Sequence, residues 1–166
     1  MEINLSPPAV MHAEHDVSSF GCGVESLDRW LRERAFDNHK RGASRTYVVC
    51  DAARVMGFYA LASGGLATVD ATGKFRRNMP DPIPIAILGR LAVDQQLAGK
   101  GVGRALFRDA AMRVLSAADV IGIRGMIVHA ISAEAAAFYK ALGLSASPND
   151  PLTMMVTLDE LRAALG

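Results

Sequence analysis

Cysteine is scarce in this chain. Its 166 residues hold two, Cys22 and Cys50, which match no metal-ligand spacing and cannot define a disulfide framework. No metal site is expected, and both thiols read as reduced and packed in a cytoplasmic protein. No apolar run approaches the ~18 residues of a membrane span, so no membrane partner is expected. The start, Met1-Glu2-Ile3-Asn4, lacks the basic and apolar regions of a signal peptide. Internal repeats and low-complexity tracts are absent. Neither sign of charge dominates, since 18 Lys and Arg against 17 Asp and Glu leave a net +1. Any affinity for a polyanion therefore depends on how the basic residues are distributed. What is present is apolar: 51% of residues are hydrophobic, which excludes disorder. The length fits one domain, residues 1–166, with a sizeable core.

The most informative stretch is Gln96-Leu-Ala-Gly-Lys-Gly-Val-Gly-Arg104. It follows an apolar run, Ile85 to Val93, that reads as a buried strand, and precedes Ala105 to Ala118, which reads as a helix. Gly99, Gly101 and Gly103 allow tight turning and leave no side chain in front of the amides. A helix start leaves about four N–H groups without intrahelical partners and carries roughly half a positive charge. Bare amides with that dipole suit a phosphate or pyrophosphate. The glycine spacing fits neither a dinucleotide fingerprint nor a P-loop. From Gly99 the sixth position is Arg104, from Gly101 it is Leu106, and Lys100 is followed by Gly101 rather than Ser or Thr.

The order Leu88-Gly-Arg-Leu-Ala-Val-Asp94, then Gln-x-x-Gly-x-Gly from Gln96, then a helix, resembles the acyl-CoA motif of the GNAT superfamily of N-acetyltransferases. The resemblance implies acetyl-CoA as cofactor and a mixed, mostly antiparallel sheet flanked by helices. It assigns Ala98, Gly99, Lys100, Gly101, Gly103 and Arg104 to the pyrophosphate. It assigns Leu91, Ala92 and Val93 to a strand edge that pairs with the pantetheine arm. Downstream, Val128-His129-Ala130 ends a short strand, and Ser132 can cap a helix over Ala133 to Leu142. Phe138-Tyr139 sits near that helix's end and Gly143 stops it. On its own, Tyr139 would read as a core aromatic with its hydroxyl at the edge. Beside a GNAT cofactor motif, it reads as catalytic, with Ser132 at the cofactor.

Phe20-Gly-Cys-Gly23, then Leu27 and Trp30-Leu31, then Thr46-Tyr-Val-Val49, is similar to the GNAT toxins of type II toxin–antitoxin modules. So are Gly57-Phe-Tyr59, Pro82 to Pro84 and Asn149-Asp-Pro-Leu152. Gly21 departs from the pattern, where Asp is usual. The resemblance implies acetylation of the amino group of aminoacyl-tRNA, a translational block, a ribbon-helix-helix antitoxin and a homodimer. A GNAT enzyme for a small amine or a protein N-terminus would keep the same loop, as would a non-catalytic acyl-CoA sensor.

The basic residues cluster. Arg29, Arg32, Arg34, Lys40, Arg41 and Arg45 crowd one helix and its exit, Lys74, Arg76 and Arg77 mark a mid-chain loop, and Arg90 lies on the strand before the glycines. For tRNA, Arg41, Arg45, Arg76, Arg77 and Arg90 are the candidate contacts. Judged on charge alone, the interleaved acids Asp28, Glu33 and Asp37 fit a solvated, ion-paired face equally well.

The coarse layout is α+β around one sheet. Val24 to Arg41 reads as one amphipathic helix, with Leu27, Trp30, Leu31 and Ala35 on its apolar face. Thr46 to Cys50 and Val55 to Ala62 read as adjacent strands, and Pro80 to Pro84 as a loop. Gly125 to Ala130 and Met154 to Thr157 read as strands, and Leu158 to Leu165 as a helix. In acyl transfer an amine attacks a thioester and a thiolate leaves. By the resemblance, the Val93 amide stabilises the oxyanion and Tyr139 acts as general acid. His129 is a candidate base, although a histidine at a strand end is more often structural.

Overall fold

The structure, a computed structural model, describes residues 2–165. The chain divides into two compact units. One holds the residues up to Ala62 with Gly89–Ala110, and the other holds Ser63–Leu88 with the residues from Ala111 onward. Seven strands hydrogen-bond in the order β1-β2-β3-β4-β5-β7-β6. They are β1 (Ala9–Val10), β2 (Arg45–Asp51), β3 (Arg54–Leu66), β4 (Ile83–Val93), β5 (Gly125–His129), β6 (Ser145–Ser147) and β7 (Asp150–Thr157). The helices are α1 (Glu25–Glu33), α2 (Ala35–Arg41), α3 (Gly73–Arg76), α4 (Val102–Ala118), α5 (Ala133–Ala141) and α6 (Leu158–Leu165). The expected α+β class and mostly antiparallel sheet are what is found.

In the first unit, β2 and β3 form an antiparallel hairpin from Arg45↔Leu61 to Asp51↔Arg54. Ala52 takes a left-handed φ of 54° at its tip. α1 and α2 cover a core of Phe20, Leu27, Trp30, Leu31, Ala35, Val48, Phe58 and Ala92. Phe58 is its aromatic centre, stacked on Trp30 at 6.0 Å and edge-on to Phe20 at 5.6 Å. The expected single helix over Val24 to Arg41 is in fact two, interrupted at Arg34 with φ −122°. At 3.6 residues per turn, an unbroken helix would carry Phe36 roughly opposite Leu27, on the solvent side. The interruption turns Phe36 onto the core instead.

In the second unit, the parallel β4–β5 ladder pairs Ile85–Leu88 with Gly125–Val128. Its last rung is Leu88↔Val128, while β4 continues to Val93. β5 pairs antiparallel with β7, from Gly125↔Thr157 to His129↔Thr153. The core here joins Leu66, Phe75, Ile83, Ile85, Ile127 and Met155. Two segments read as irregular are ordered. Thr72 accepts the Phe75 amide at 3.2 Å and caps the single turn of α3. β4 begins at Ile83 through Pro84, whose carbonyl accepts the Arg124 amide at 2.8 Å. α6 spans the residues the sequence predicts.

Gly125 is held by close approach rather than by its φ. A Cβ there would overlap the Val156 carbonyl oxygen and come within 2.8 Å of Phe75 Cε2. Because the first obstacle is backbone, Gly125→Ala must push β5 from β7. Its expected cost is about 3 kcal/mol, the upper part of the usual overpacking range, read as a lowered midpoint in denaturant unfolding.

Candidate functional site

The first unit positions the glycine loop. Asp94 follows β4 and is buried, 4% exposed. Its Oδ1 accepts the Gln96 amide at 3.0 Å, capping a single turn of 3₁₀ helix over Gln95–Leu97. Its Oδ2 accepts the Gly21 amide at 3.1 Å. The Gln95 amide returns a bond to the Gly21 carbonyl at 2.9 Å, and the Asp94 amide donates to Met56 of β3 at 2.8 Å. The segment around Gly21 is thus stitched to the loop by both its backbone polar groups. No side chain at position 21 is needed for that stitching. Gly23 completes the junction. Its φ is +92°, and a Cβ would lie 2.8 Å from the Gln95 side-chain nitrogen.

Beyond the 3₁₀ turn, Gly99 and Gly101 take left-handed φ values of +76° and +78° with open space where a Cβ would be. The Ala98 and Lys100 amides are used inside the turn, donating to Gln95 and Leu97 carbonyls. Among the described residues, the amides of Gly99, Gly101, Val102, Gly103 and Arg104 donate to no backbone carbonyl. α4 starts at Val102 rather than Ala105, so Gly103 and Arg104 lie in its first turn. A cavity of about 240 Å³ borders this loop, lined by Leu5, Pro8, Val49, Lys100, Gly101 and Leu106 among others. On β4, Arg90 lays its guanidinium 4.3 Å from the centroid of the Trp30 ring. Burial lowers its pKa from the usual arginine value. Leu91 and Val93 are half-buried and Ala92 is buried.

The second unit positions the other candidates. Ser132 caps α5 as expected, its Oγ accepting the Ala135 amide at 3.1 Å. Gly143, φ +104°, lies just beyond the helix. Tyr139 is 6% exposed and meets Phe138 edge-to-face at 5.1 Å. Burial pushes its phenol up to about 12, so the hydroxyl keeps its proton at neutral pH. His129, at the end of β5, is exposed, and its Nδ1 lies 3.2 Å from Thr153 Oγ1. That contact, with the carboxylate behind it on Asp150, escapes sequence reading. Asn149-Asp150-Pro151-Leu152 stands out in the sequence only as part of a resemblance.

The basic candidates differ in availability. Arg29 is ion-paired with Glu25 at 3.2 Å on the surface. Arg45 donates to the His39 carbonyl at 2.7 Å and Arg32 to the Phe20 carbonyl at 3.4 Å. Lys74 pairs with Glu160 at 3.5 Å. Arg41, Arg76 and Arg77 are exposed. Both cysteines are free thiols, and burial pushes Cys22 up to about 11. Among the described residues, no cluster of three or more metal-ligating side chains occurs, and no helix is long and apolar enough to cross a membrane.

A strand that outruns its parallel neighbour, a capped turn and a glycine loop opening a long helix define an acyltransferase architecture. The chain belongs to the GNAT acetyltransferases, with residues 42–143 matching the acetyltransferase (GNAT) domain. Within that family it is similar to a tRNA-acetylating toxin of Mycobacterium tuberculosis, 50% identical over 161 residues and covering 97% of each chain. Among solved structures, it is similar to AtaT complexed with acetyl-methionyl-tRNAfMet. That likeness has a TM-score of 0.89 at 26% identity, covering 98% of this chain and 100% of the other. It is also similar to a tyrosine-to-phenylalanine variant of AtaT bound to the C-terminus of the antitoxin AtaR and acetyl-CoA. There the TM-score is 0.83 at 27% identity, covering 96% and 97%.

Asp94 is the residue on which the loop's placement depends. Asp94→Ala removes a cap, worth typically ~1 kcal/mol, and leaves the Gly21 amide without its acceptor, worth about 1–3 kcal/mol if it stays buried. The expected outcome is about 2–4 kcal/mol lower stability by denaturant unfolding, with faster amide exchange at Gln96.

Proposed function

We propose that this protein transfers the acetyl group of acetyl-CoA to the amino group of aminoacyl-tRNA and so blocks translation as the toxin of a toxin–antitoxin pair. The observation that carries this reading is the 50% identity to the tRNA-acetylating toxin along nearly the whole of both chains. The site residues present fit it. Left-handed glycines at 99 and 101 keep the loop clear of side chains, and the amides of Gly99, Gly101, Val102, Gly103 and Arg104, which donate to no backbone carbonyl of the described residues, suit a pyrophosphate. In this reading Leu91, Ala92 and Val93 present a strand edge to the pantetheine arm, and Ser132 lies at the cofactor. Lys100 and Arg104 add positive charge near the phosphates. Both units belong to one domain, residues 1–166, since β3, β4 and α4 each contribute residues to both.

Acetyl-CoA supplies an activated acyl group and a thiol leaving group. The protein's own part is to orient the amine and stabilise the charge that develops. The Val93 amide is assigned to the carbonyl oxygen. Tyr139, held neutral by burial, donates its hydroxyl hydrogen to the sulfur. In this role the hydroxyl is the general acid toward the departing sulfur. Arg41, Arg45, Arg76, Arg77 and Arg90 are assigned to tRNA phosphates. Arg90 holds its guanidinium against Trp30, 4.3 Å from the ring centroid, a cation–π contact that restrains its donor fork. The partner is an antitoxin of ribbon-helix-helix type, the protein is a homodimer, and its tRNA substrate sets its place of action in the cytoplasm.

Acetyl-CoA incubated with a charged tRNA should yield N-acetylaminoacyl-tRNA, detected by mass spectrometry after nuclease digestion. Unreacted tRNA alongside acetylation of a small amine would give the function to a small-molecule acetyltransferase. Tyr139→Phe keeps the ring and should slow transfer by ~10²–10⁴-fold with acetyl-CoA affinity retained; near-normal turnover would leave Tyr139 a packing residue. Arg76→Ala and Arg77→Ala should each weaken tRNA binding and flatten its salt dependence by roughly one unit of log–log slope. Unchanged binding at several salt concentrations would leave these arginines a solvated face.

A further inference from the structure

The reaction proposed above leaves one chemical need unmet: the attacking nitrogen must lose a proton, and none of the groups assigned so far accepts it. His129 is the last residue of β5 and follows Val128, whose pairing with Leu88 is the final rung of the β4–β5 ladder. Ala130 to Ser132 then lead into α5. The carboxyl ends of parallel strands, where neighbouring strands part, are where open sheets receive ligands. The imidazole is exposed there.

Residues of β7 fix its tautomer. Asp150 Oδ1 accepts the Leu152 amide at 3.0 Å, and Oδ2 accepts the Thr153 hydroxyl at 2.9 Å. These two bonds hold the Asp150 carboxyl below the usual carboxylate range, so it is an anion that only accepts. Thr153 is buried, 7% exposed, and its one hydroxyl hydrogen is committed to that carboxylate. Its oxygen therefore faces His129 Nδ1, 3.2 Å away, with a lone pair. A lone pair there requires Nδ1 to carry hydrogen. Nε2 then carries the lone pair, and no described residue engages it.

We propose that His129 is the general base of the acyl transfer, with Thr153 and Asp150 as positioning residues that hold the Nδ1–H tautomer. This rests on the acetyltransferase reading above. Nε2 takes the proton from the amine nitrogen as the new C–N bond forms and the C–S bond breaks. The sulfur acquires its proton by way of the Tyr139 hydroxyl, and His129 returns its own to water, from which Tyr139 is replenished. One amine proton is lost and one thiol proton is gained, so no other reactant is needed. The arrangement is that of a carboxylate orienting a catalytic histidine, with a hydroxyl interposed.

Two measurements on the whole protein test this. Long-range ¹H–¹⁵N correlation of the His129 ring should show the Nδ1–H tautomer in the wild type and its loss in Thr153→Val. An Nε2–H tautomer in the wild type would overturn the proposal whatever the substrate. Transfer rates are then compared on two acceptors, an aminoacyl-tRNA and the free α-amine glycinamide. His129→Ala should lower kcat by roughly 10²-fold or more, leave acetyl-CoA affinity unchanged and recover activity with added imidazole. Thr153→Ser should stay close to wild type while Thr153→Val falls. Normal kcat in His129→Ala on every acceptor the wild type uses would overturn the proposal. A wild type that acetylates glycinamide but not aminoacyl-tRNA would overturn the tRNA reading instead, and the His129 comparison on glycinamide would still decide.

Discussion

Everything at the glycine loop depends on one carboxylate. Asp94 closes β4 on one side, through its own amide to Met56, and opens the loop on the other, through its side chain to Gln96 and Gly21. An exposed carboxylate making two such bonds would exchange them for water at little cost. A buried one cannot, because each unmade bond leaves a desolvated polar group. The turn after β4 therefore has one stable arrangement, and the glycines that follow begin from a fixed point. That explains how Gly99 and Gly101, conformationally the least committed residues in the chain, can still hold their amides in a defined direction.

Elements with a periodic or local signal were legible in the sequence. The sequence puts Leu106, Ala110, Val114 and Leu115 on the apolar stripe of α4, and the first three are buried while Leu115 is half-buried; Ser132 marks the start of α5, and α6 falls where its pattern puts it. Phe107 and Ala111, also buried, widen the α4 stripe beyond what a narrow reading gives. The interruption at Arg34 was not legible, since neither glycine nor proline marks it, and what accompanies it, Phe36 packed on the core, shows only in the fold. Short pieces such as β1 and β6 carry too few residues for any period. At the site, the glycine loop and Tyr139 stood out by motif and resemblance. The bonds that position such residues did not, because Asp94 reaches back to Gly21 and Thr153 to His129 across long stretches of chain. Hydrogen bonds of that kind leave no periodic trace.

The charge balance carries a related lesson. A net +1 suggests indifference to polyanions, yet the total counts groups already committed. Arg124 is a clear case, donating to the carbonyls of Phe75 and Lys74 at 2.8 Å each. It ties β5's approach to α3 and has few donors left for any ligand. Arg162 is matched by Asp159 one turn earlier on α6. Arg90 is different again. Its contact with Trp30 removes rotational freedom that an arginine normally loses only on meeting its partner, so less entropy opposes that meeting. Which basic residues matter is a question of their present company, not their number.

Gly21 has an experimental use. Its two backbone groups are occupied by Asp94 and Gln95, its φ lies outside the left-handed region, and a Cβ there would meet nothing within 4 Å. The position is anchored by main chain and vacant at the side chain. A cysteine placed there could carry a fluorophore or spin label directly beside the glycine loop. The two native thiols would compete little for the reagent, since Cys50 is buried and Cys22 is pushed up to about 11. Occupancy of the loop could then be followed optically in real time, without attaching anything to the ligand.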